Sequence, residues 1–214
     1  MRVGVLGSGD VGRVLGAGFA GLGYDVKIGT RDPNGEKIRN WVSETGGKAS
    51  AGTFAEAAQF AETAVLATAW SGTESAIRLA NPKNLSRKVV IDVTNPLDFG
   101  AGLPPKLALG HTDSGGEQVQ RWLPEARVVK AFNTVGNPHM VHPSFPGGPP
   151  DMFLCGNDAD AKAAVSEVCA AFGWPTIDIG GIAGSRFLEP LAMLWITYYS
   201  RTNSGNHAFK LLRK

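Results

Sequence analysis

One stretch near the start of the chain, residues 2–12 with the sequence RVGVLGSGDVG, constrains the fold more than any other. Its β-branched first half is typical of a buried strand, and the glycines lead at once into a helical pattern. Gly7 permits a tight turn, and Gly12 lets the helix pack closely against the strand. A strand that turns this sharply into a helix is the first half of a βαβ unit, which predicts a parallel sheet.

The same alternation of strand and helix patterns repeats along the chain. Strands are predicted at 3–6, 26–29, 64–67, 89–93, 127–131, 152–154 and 176–179, and helices at 12–22, 36–44, 54–60, 73–79, 116–122, 159–172 and 185–199. The strands are continuous apolar runs, as expected when helices cover both faces of the sheet. We therefore predict an α/β fold, a doubly wound and mostly parallel Rossmann sheet extended by a small C-terminal αβα segment.

A proline- and glycine-rich stretch at 136–150, GNPHMVHPSFPGGPP, interrupts this rhythm with five prolines and three glycines. Proline lacks a backbone donor, so neither a helix nor a central strand is expected there. We predict a Rossmann domain at 1–135, a loop at 136–150, and a small segment at 151–214 that packs on the sheet and frames an acceptor site. The loop is either a linker or an active-site or dimer-contact loop.

Composition excludes several classes of function. The net charge is +2 and no run of lysines and arginines occurs, which argues against a nucleic-acid partner. The most apolar stretch, 187–199, is too short for a membrane span, and no signal peptide is evident, so a cytoplasmic protein without membrane insertion is expected. Cys155 and Cys169 lack the spacing of a zinc site, and His139 and His142 are flanked by prolines, so no metal is expected.

The glycine-rich turn has the context of a dinucleotide-binding motif, with a strand before it and a helix after it. The pyrophosphate is expected on backbone N–H groups at the start of that helix. The candidate residues are Gly7, Ser8, Gly9, Asp10, Val11 and Gly12. The carboxylate of Asp10 would repel a pyrophosphate unless it caps the helix and points away.

The end of the second strand indicates which dinucleotide binds. Enzymes that use NAD place an acidic residue here for the ribose 2′-hydroxyl, whereas this chain has Thr30 and Arg31. A hydroxyl and a guanidinium suit a 2′-phosphate, and Lys37 adds a second positive charge. These residues favour NADP(H) over NAD(H), although Asp32 lies close to them.

The nicotinamide is expected at the carboxyl ends of the next two strands, near the point where the strand order reverses. Ala69 and Trp70 follow one of these strands, and Asn95 and Pro96 follow the other. Asn95 would hold the carboxamide or a ribose, and Trp70 would form a wall of the pocket. An alternative for Asn95–Pro96 is a simple turn.

Several motifs in this order resemble the F420-dependent NADP oxidoreductase family, whose members pass hydride between NADP and a deazaflavin. They are GSGDVG at 7–12, GTRDP at 29–33, VKAFNT at 129–134, CGND at 155–158, SRFLEP at 185–190 and NHAFKL at 206–211. The nucleotide domain is also similar to the cytoplasmic reductase part of membrane metalloreductases, which pair NADPH with a flavin. The resemblance implies an NADP(H)-dependent oxidoreductase with F420 or a flavin as its co-substrate.

The resemblance also implies roles for individual residues. Ser8, Thr30, Arg31 and Lys37 would contact NADP, Ala69, Trp70, Asn95 and Pro96 would frame the nicotinamide, and Asn133, Thr134 and Val135 would face the deazaflavin. Archaeal members carry histidine where this chain has Asn133 and proline where it has Gly136, which leaves the acceptor open.

Hydride passes directly between two such rings, so no catalytic side chain is required. Two alternatives remain, an NADPH-dependent reductase of a flavin or quinone and a non-catalytic NADPH-binding module. The aromatic helix over 188–199 belongs either to the core or to a homodimer interface.

Overall fold

The structure, a computed structural model, describes all 214 residues and contains ten strands and seven α-helices. The strands are β1 (Arg2–Leu6), β2 (Asp25–Gly29), β3 (Ala49–Gly52), β4 (Thr63–Leu66), β5 (Val89–Asp92), β6 (Leu97–Asp98), β7 (Lys106–Leu107), β8 (Arg127–Lys130), β9 (Met152–Gly156) and β10 (Thr176–Asp178). The helices are α1 (Asp10–Gly21), α2 (Glu36–Thr45), α3 (Phe54–Phe60), α4 (Trp70–Ala80), α5 (Gly115–Trp122), α6 (Ala159–Ala171) and α7 (Ser185–Thr202). Short 3₁₀ turns lie at Pro82–Leu85, Asn137–His139 and Ile182–Gly184.

Eight strands form one sheet in the order β3-β2-β1-β4-β5-β8-β9-β10. All neighbours are parallel except β8 and β9, which run antiparallel. The order reverses between β1 and β4, and the crevice at such a reversal is where α/β sheets of this kind bind ligands. The predicted doubly wound, mostly parallel α/β sheet is confirmed.

Helices cover both faces of the sheet, and the alternation of side chains along each strand divides the core into two parts. Val3 and Val5 point to the face that carries Phe19 and Phe172, while Leu6 points to the opposite face. Both faces of β1 are therefore buried, which explains why its sequence is a continuous apolar run.

Three strands, β3, β6 and β7, were not predicted from the sequence. β3, with the sequence ASAG, is an edge strand beside β2, and its small residues lack the β-branched pattern typical of a strand. β6 and β7 form a separate two-stranded antiparallel hairpin directly after Pro96. All three depend on pairing with another strand more than on local propensity.

The C-terminal segment extends the same sheet. β9 pairs with β8, so that Lys130 lies opposite Cys155, and β10 continues the sheet beside β9. The proline-rich loop that precedes β9 packs on the end of α6, where the indole of Trp174 donates to the carbonyl of Met140 at 3.0 Å. The division at 135 and 150 stays a prediction, since a continuous sheet spans both boundaries.

None of the seven helices combines the length and the apolar composition needed to cross a bilayer.

Candidate dinucleotide site

A cleft of about 520 Å³ lies at the carboxyl ends of β1, β2 and β4. Six of the predicted residues line it, namely Gly7, Ser8, Gly9, Thr30, Arg31 and Ala69. Residues that sequence reasoning missed complete the walls, and they are Phe54, Ala67, Thr68, Ser71, Gly72, Ser75, Ala76 and Leu79. Most of these missed residues belong to α3 and α4, which meet at the cleft only after the sheet has assembled.

The three motif glycines have different surroundings. Gly7 has φ +125°, and a Cβ there would lie 2.3 Å from the carbonyl oxygen of Ala67. A Cβ at Gly12 would lie 2.0 Å from the carbonyl oxygen of Gly7, so the close approach of α1 to the turn requires glycine. A Cβ at Gly9 would meet nothing within 4 Å, which leaves this position open toward the cleft.

The N-terminus of α1 carries no side-chain cap. Gly9 is the N-cap residue, and no side chain accepts from the first backbone N–H groups of the helix. Asp10 does not cap the helix. Its exposed carboxylate instead pairs with the guanidinium of Arg13, with the ammonium of Lys37 3.7 Å away. These two cations offset the negative charge that Asp10 brings to an expected phosphate site.

The end of β2 is joined to the glycine-rich turn by hydroxyl groups. The hydroxyl of Ser8 donates to that of Thr30 at 3.0 Å, and Thr30 is almost fully buried. Arg31 follows with an exposed side chain on the wall of the cleft. Lys37, on the first turn of α2, is also exposed. Arg31 thus lines the cleft on the β2 side, whereas Lys37 does not line it and lies beside Asp10.

The ends of β5 and β8 are joined by a reciprocal pair of amides. Asn95 donates through Nδ2 to the carbonyl of Asn133 at 2.8 Å, and Asn133 donates through Nδ2 to Oδ1 of Asn95 at 3.0 Å. The same Nδ2 also donates to the carbonyl of Leu188 in α7 at 3.0 Å. Both amide hydrogens of Asn133 are therefore used inside the protein, and its Oδ1 is buried without a partner.

The remaining predicted residues lie outside the lining of the cleft. Trp70 stacks on Trp122 with ring centroids 5.6 Å apart, and a Cβ at Gly115 would lie 3.2 Å from both Trp70 and Pro96. Three other predicted residues are partly or fully buried, Val11 on α1 and Thr134 and Val135 after β8.

A buried charged cluster, which sequence reasoning missed, lies next to the amide pair, in contact with the residue that precedes Asn95. It consists of Asp92, Lys130 and Glu189, all essentially inaccessible to solvent. The ammonium of Lys130 lies 2.8 Å from Oδ2 of Asp92 and 3.1 Å from Oε1 of Glu189. The available signal was an aspartate and a lysine as the last residues of β5 and β8, after at least two apolar residues in each strand. Buried charges at such positions are nearly always paired.

The histidines and cysteines form no comparable centre. No group of three histidine, cysteine, aspartate or glutamate side chains is arranged to hold a metal ion. Both cysteines are buried as free thiols, and burial raises the pKa of Cys155 to about 11 and that of Cys169 to about 12. Neither thiol is therefore a reactive nucleophile near neutral pH.

Comparison with known proteins supports a specific family. The family model described as NADP oxidoreductase coenzyme F420-dependent matches residues 2–96. A crystal structure of a protein from Arthrobacter sp. FB24, proposed to be an F420-dependent NADP reductase, superposes over the whole of both chains with a TM-score of 0.94 and 40% sequence identity. The chain belongs to the F420-dependent NADP oxidoreductase family. It is an NADP-dependent oxidoreductase, and the predicted resemblance is confirmed.

Two curated relatives show the range of this family likeness. The F420-dependent NADP reductase of Methanothermobacter marburgensis is 28% identical over 99% of this chain and 98% of its own length. Rat metalloreductase STEAP3 is 32% identical over 90% of this chain, but the match spans only 37% of the length of that protein. The family fold is thus also part of a larger metalloreductase.

Proposed function

We propose that this family member transfers hydride between NADP(H), bound in the cleft at the carboxyl ends of β1, β2 and β4, and coenzyme F420. The observation that carries the proposal is the open position at Gly9 beside an uncapped helix start, with Arg31 on the adjacent wall. Backbone N–H groups at such a helix start suit a pyrophosphate, and a guanidinium suits a 2′-phosphate. The similarity to F420-dependent reductases over nearly the whole chain supports the choice of acceptor.

One buried group at the expected acceptor position has no hydrogen-bond partner. The buried and unpartnered Oδ1 of Asn133 is a hydrogen-bond acceptor without a donor, which costs about 1–3 kcal/mol. The atom is inaccessible to solvent, so a ligand N–H group would reach it only if a neighbouring side chain moved. When bound, NADPH supplies the hydride, and the protein holds the two rings in place and excludes water.

Bleaching of oxidised F420 by NADPH is the direct test of this reaction. We expect rapid loss of the deazaflavin absorbance with NADPH and a much slower reaction with NADH, because Arg31 would favour the 2′-phosphate. FMN and a quinone serve as parallel acceptors. If NADPH binds but F420 is not reduced, F420 is not the acceptor.

A flavin acceptor is the second candidate, and specific residues favour it. The family resemblance implies that Asn133 and Gly136 stand where archaeal deazaflavin reductases carry histidine and proline. A Cβ at Gly136 would lie 2.9 Å from Trp195. Turnover with FMN but not with F420 would support this second candidate. Tight binding of NADPH without turnover on any acceptor would instead indicate a non-catalytic module.

We also propose a homodimer that pairs through α7. Phe187, Leu194 and Tyr198 are 73%, 58% and 53% exposed, and their spacing of seven and four residues puts them on one face of the helix. A self-complementary contact between two such faces would bury all three side chains.

Size-exclusion chromatography coupled to multi-angle light scattering measures the molar mass of the assembly. We expect the native chain at about twice 22.5 kDa and a variant with Phe187→Ser, Leu194→Ser and Tyr198→Ser at the monomer mass. Leu103→Ser, at an exposed position on the 99–104 loop, is the control and should leave the native mass unchanged. Equal masses for the triple variant and the native chain would contradict an interface on α7.

A further inference from the structure

Lys130 is a fully buried cation whose ammonium lies close to three oxygen atoms. Its Nζ donates to the carbonyl of Thr94 at 2.6 Å and lies within 3.1 Å of a carboxylate oxygen of both Asp92 and Glu189. Burial opposes the charged form, but the two carboxylates outweigh it and raise the pKa of Lys130. Lys130 is therefore a fixed positive charge at neutral pH.

Glu189 connects this cation to a second element. Its two carboxylate oxygens accept from the backbone N–H groups of Gly115 and Gly116, each at 2.9 Å, at the start of α5. The approach requires glycine, since a Cβ at Gly116 would lie 2.1 Å from the hydroxyl of Ser185 and 3.0 Å from Cε of Lys130. A single carboxylate thus joins α7, α5 and β8.

The cluster is connected to residues of the expected nicotinamide pocket at three points. The Thr94 carbonyl precedes Asn95, and Glu189 follows Leu188, whose carbonyl accepts from Asn133. Gly115 packs against both Trp70 and Pro96, as described above. The cluster therefore connects the elements that carry Trp70, Pro96 and the Asn95–Asn133 amide pair.

Stability alone does not account for such a cluster. Apolar side chains of similar volume often replace a buried ion pair at no cost in stability, because desolvation offsets the attraction between the charges. Its charge-assisted contacts and hydrogen bonds are directional, so they favour one arrangement of β5, β8, α5 and α7.

We propose that Lys130 and Glu189 are positioning residues that align the nicotinamide end of the dinucleotide site through the Thr94 carbonyl and the start of α5. The proposal rests on the proposed NADP(H) site. It separates two halves of that site, because the adenosine end is formed by Ser8, Thr30 and Arg31, none of which touches the cluster.

The test compares NADPH with 2′,5′-ADP, which contains only the adenosine end, by calorimetric titration of the whole chain. The main variant combines Lys130→Met with Glu189→Gln, which removes one charge of each sign at nearly constant volume. Glu189→Gln alone is a milder second variant for use if the double variant does not fold. In both we expect 2′,5′-ADP to bind within twofold of its native affinity and NADPH to bind at least tenfold more weakly.

The matched control is Arg186→Met with Glu117→Gln. This pair also joins α5 to α7, with Nη2 of Arg186 2.6 Å from Oε1 of Glu117, but it lies nearer the surface. It should leave the affinity for both ligands unchanged.

The outcomes separate the two proposals. Equal weakening of both ligands, or no weakening of NADPH, would overturn the positioning role. Native protein that binds neither ligand would instead refute the NADP(H) site itself.

Discussion

Gly12→Ala is expected to lower the free energy of unfolding by about 3 kcal/mol. Alanine is intrinsically better than glycine in a helix interior by about 1 kcal/mol, so propensity alone predicts the opposite sign. Sterics decide the outcome, because the new Cβ would lie 2.0 Å from the carbonyl oxygen of Gly7, and the backbone there has no flexible end to move. Urea unfolding monitored by circular dichroism measures the change.

Gly9→Ala is the matched variant within the same motif. Its Cβ would meet nothing within 4 Å, and φ −69° with ψ −178° suits alanine. Only the weaker N-cap preference of alanine then acts, so stability should fall by less than about 1 kcal/mol. Its affinity for NADPH should fall at least tenfold, because the methyl group would occupy the space through which a pyrophosphate reaches the backbone. Native affinity in Gly9→Ala would show that the phosphates bind elsewhere, and an undiminished stability of Gly12→Ala would contradict the close-packing argument.

Arg31→Ala is expected to weaken NADPH binding by about 10- to 100-fold and to leave NADH binding unchanged. Arg31 lies on the wall of the cleft beside Thr30, where its guanidinium can meet a 2′-phosphate that NADH lacks. Titration with each dinucleotide at one fixed ionic strength measures the ratio, since salt screens an exposed charge.

Arg39→Ala is the control for the loss of a positive charge, because Arg39 is exposed on α2 but does not line the cleft. We expect it to leave both affinities within twofold. If Arg31→Ala weakens NADPH and NADH equally, then Arg31 does not recognise the 2′-phosphate and the preference for NADP(H) has another origin.

Local patterns in the sequence were sufficient for the fold class and for the turn at the glycines. The apolar run of β1, the glycines at 7, 9 and 12 and the helical pattern of α1 are contiguous, so their geometry follows from backbone sterics and periodicity. The same holds for Thr30 and Arg31, whose position at the end of β2 follows from their order in the chain.

The C-terminal side of the site shows where such reasoning ends. The motif 129–134 marks Asn133 as a residue facing the acceptor, whereas its amide hydrogens are used by Asn95 and Leu188, which lie 38 and 55 residues away along the chain. The role of Asn133 toward a deazaflavin stays a prediction, but the direction of its amide group depends on contacts that no local pattern contains.

What the sequence by itself determined about this protein is therefore the alternation of strands and helices, the glycine-rich turn and the charge at the end of β2. Only the tertiary structure decided the antiparallel pairing of β8 with β9, the edge strand β3, and the meeting of Asp92, Lys130 and Glu189. The physical reason is that periodicity and backbone conformation act over a few residues. A buried charge, in contrast, finds its partners only when distant strands and helices pack together, and its burial is tolerated only because they do.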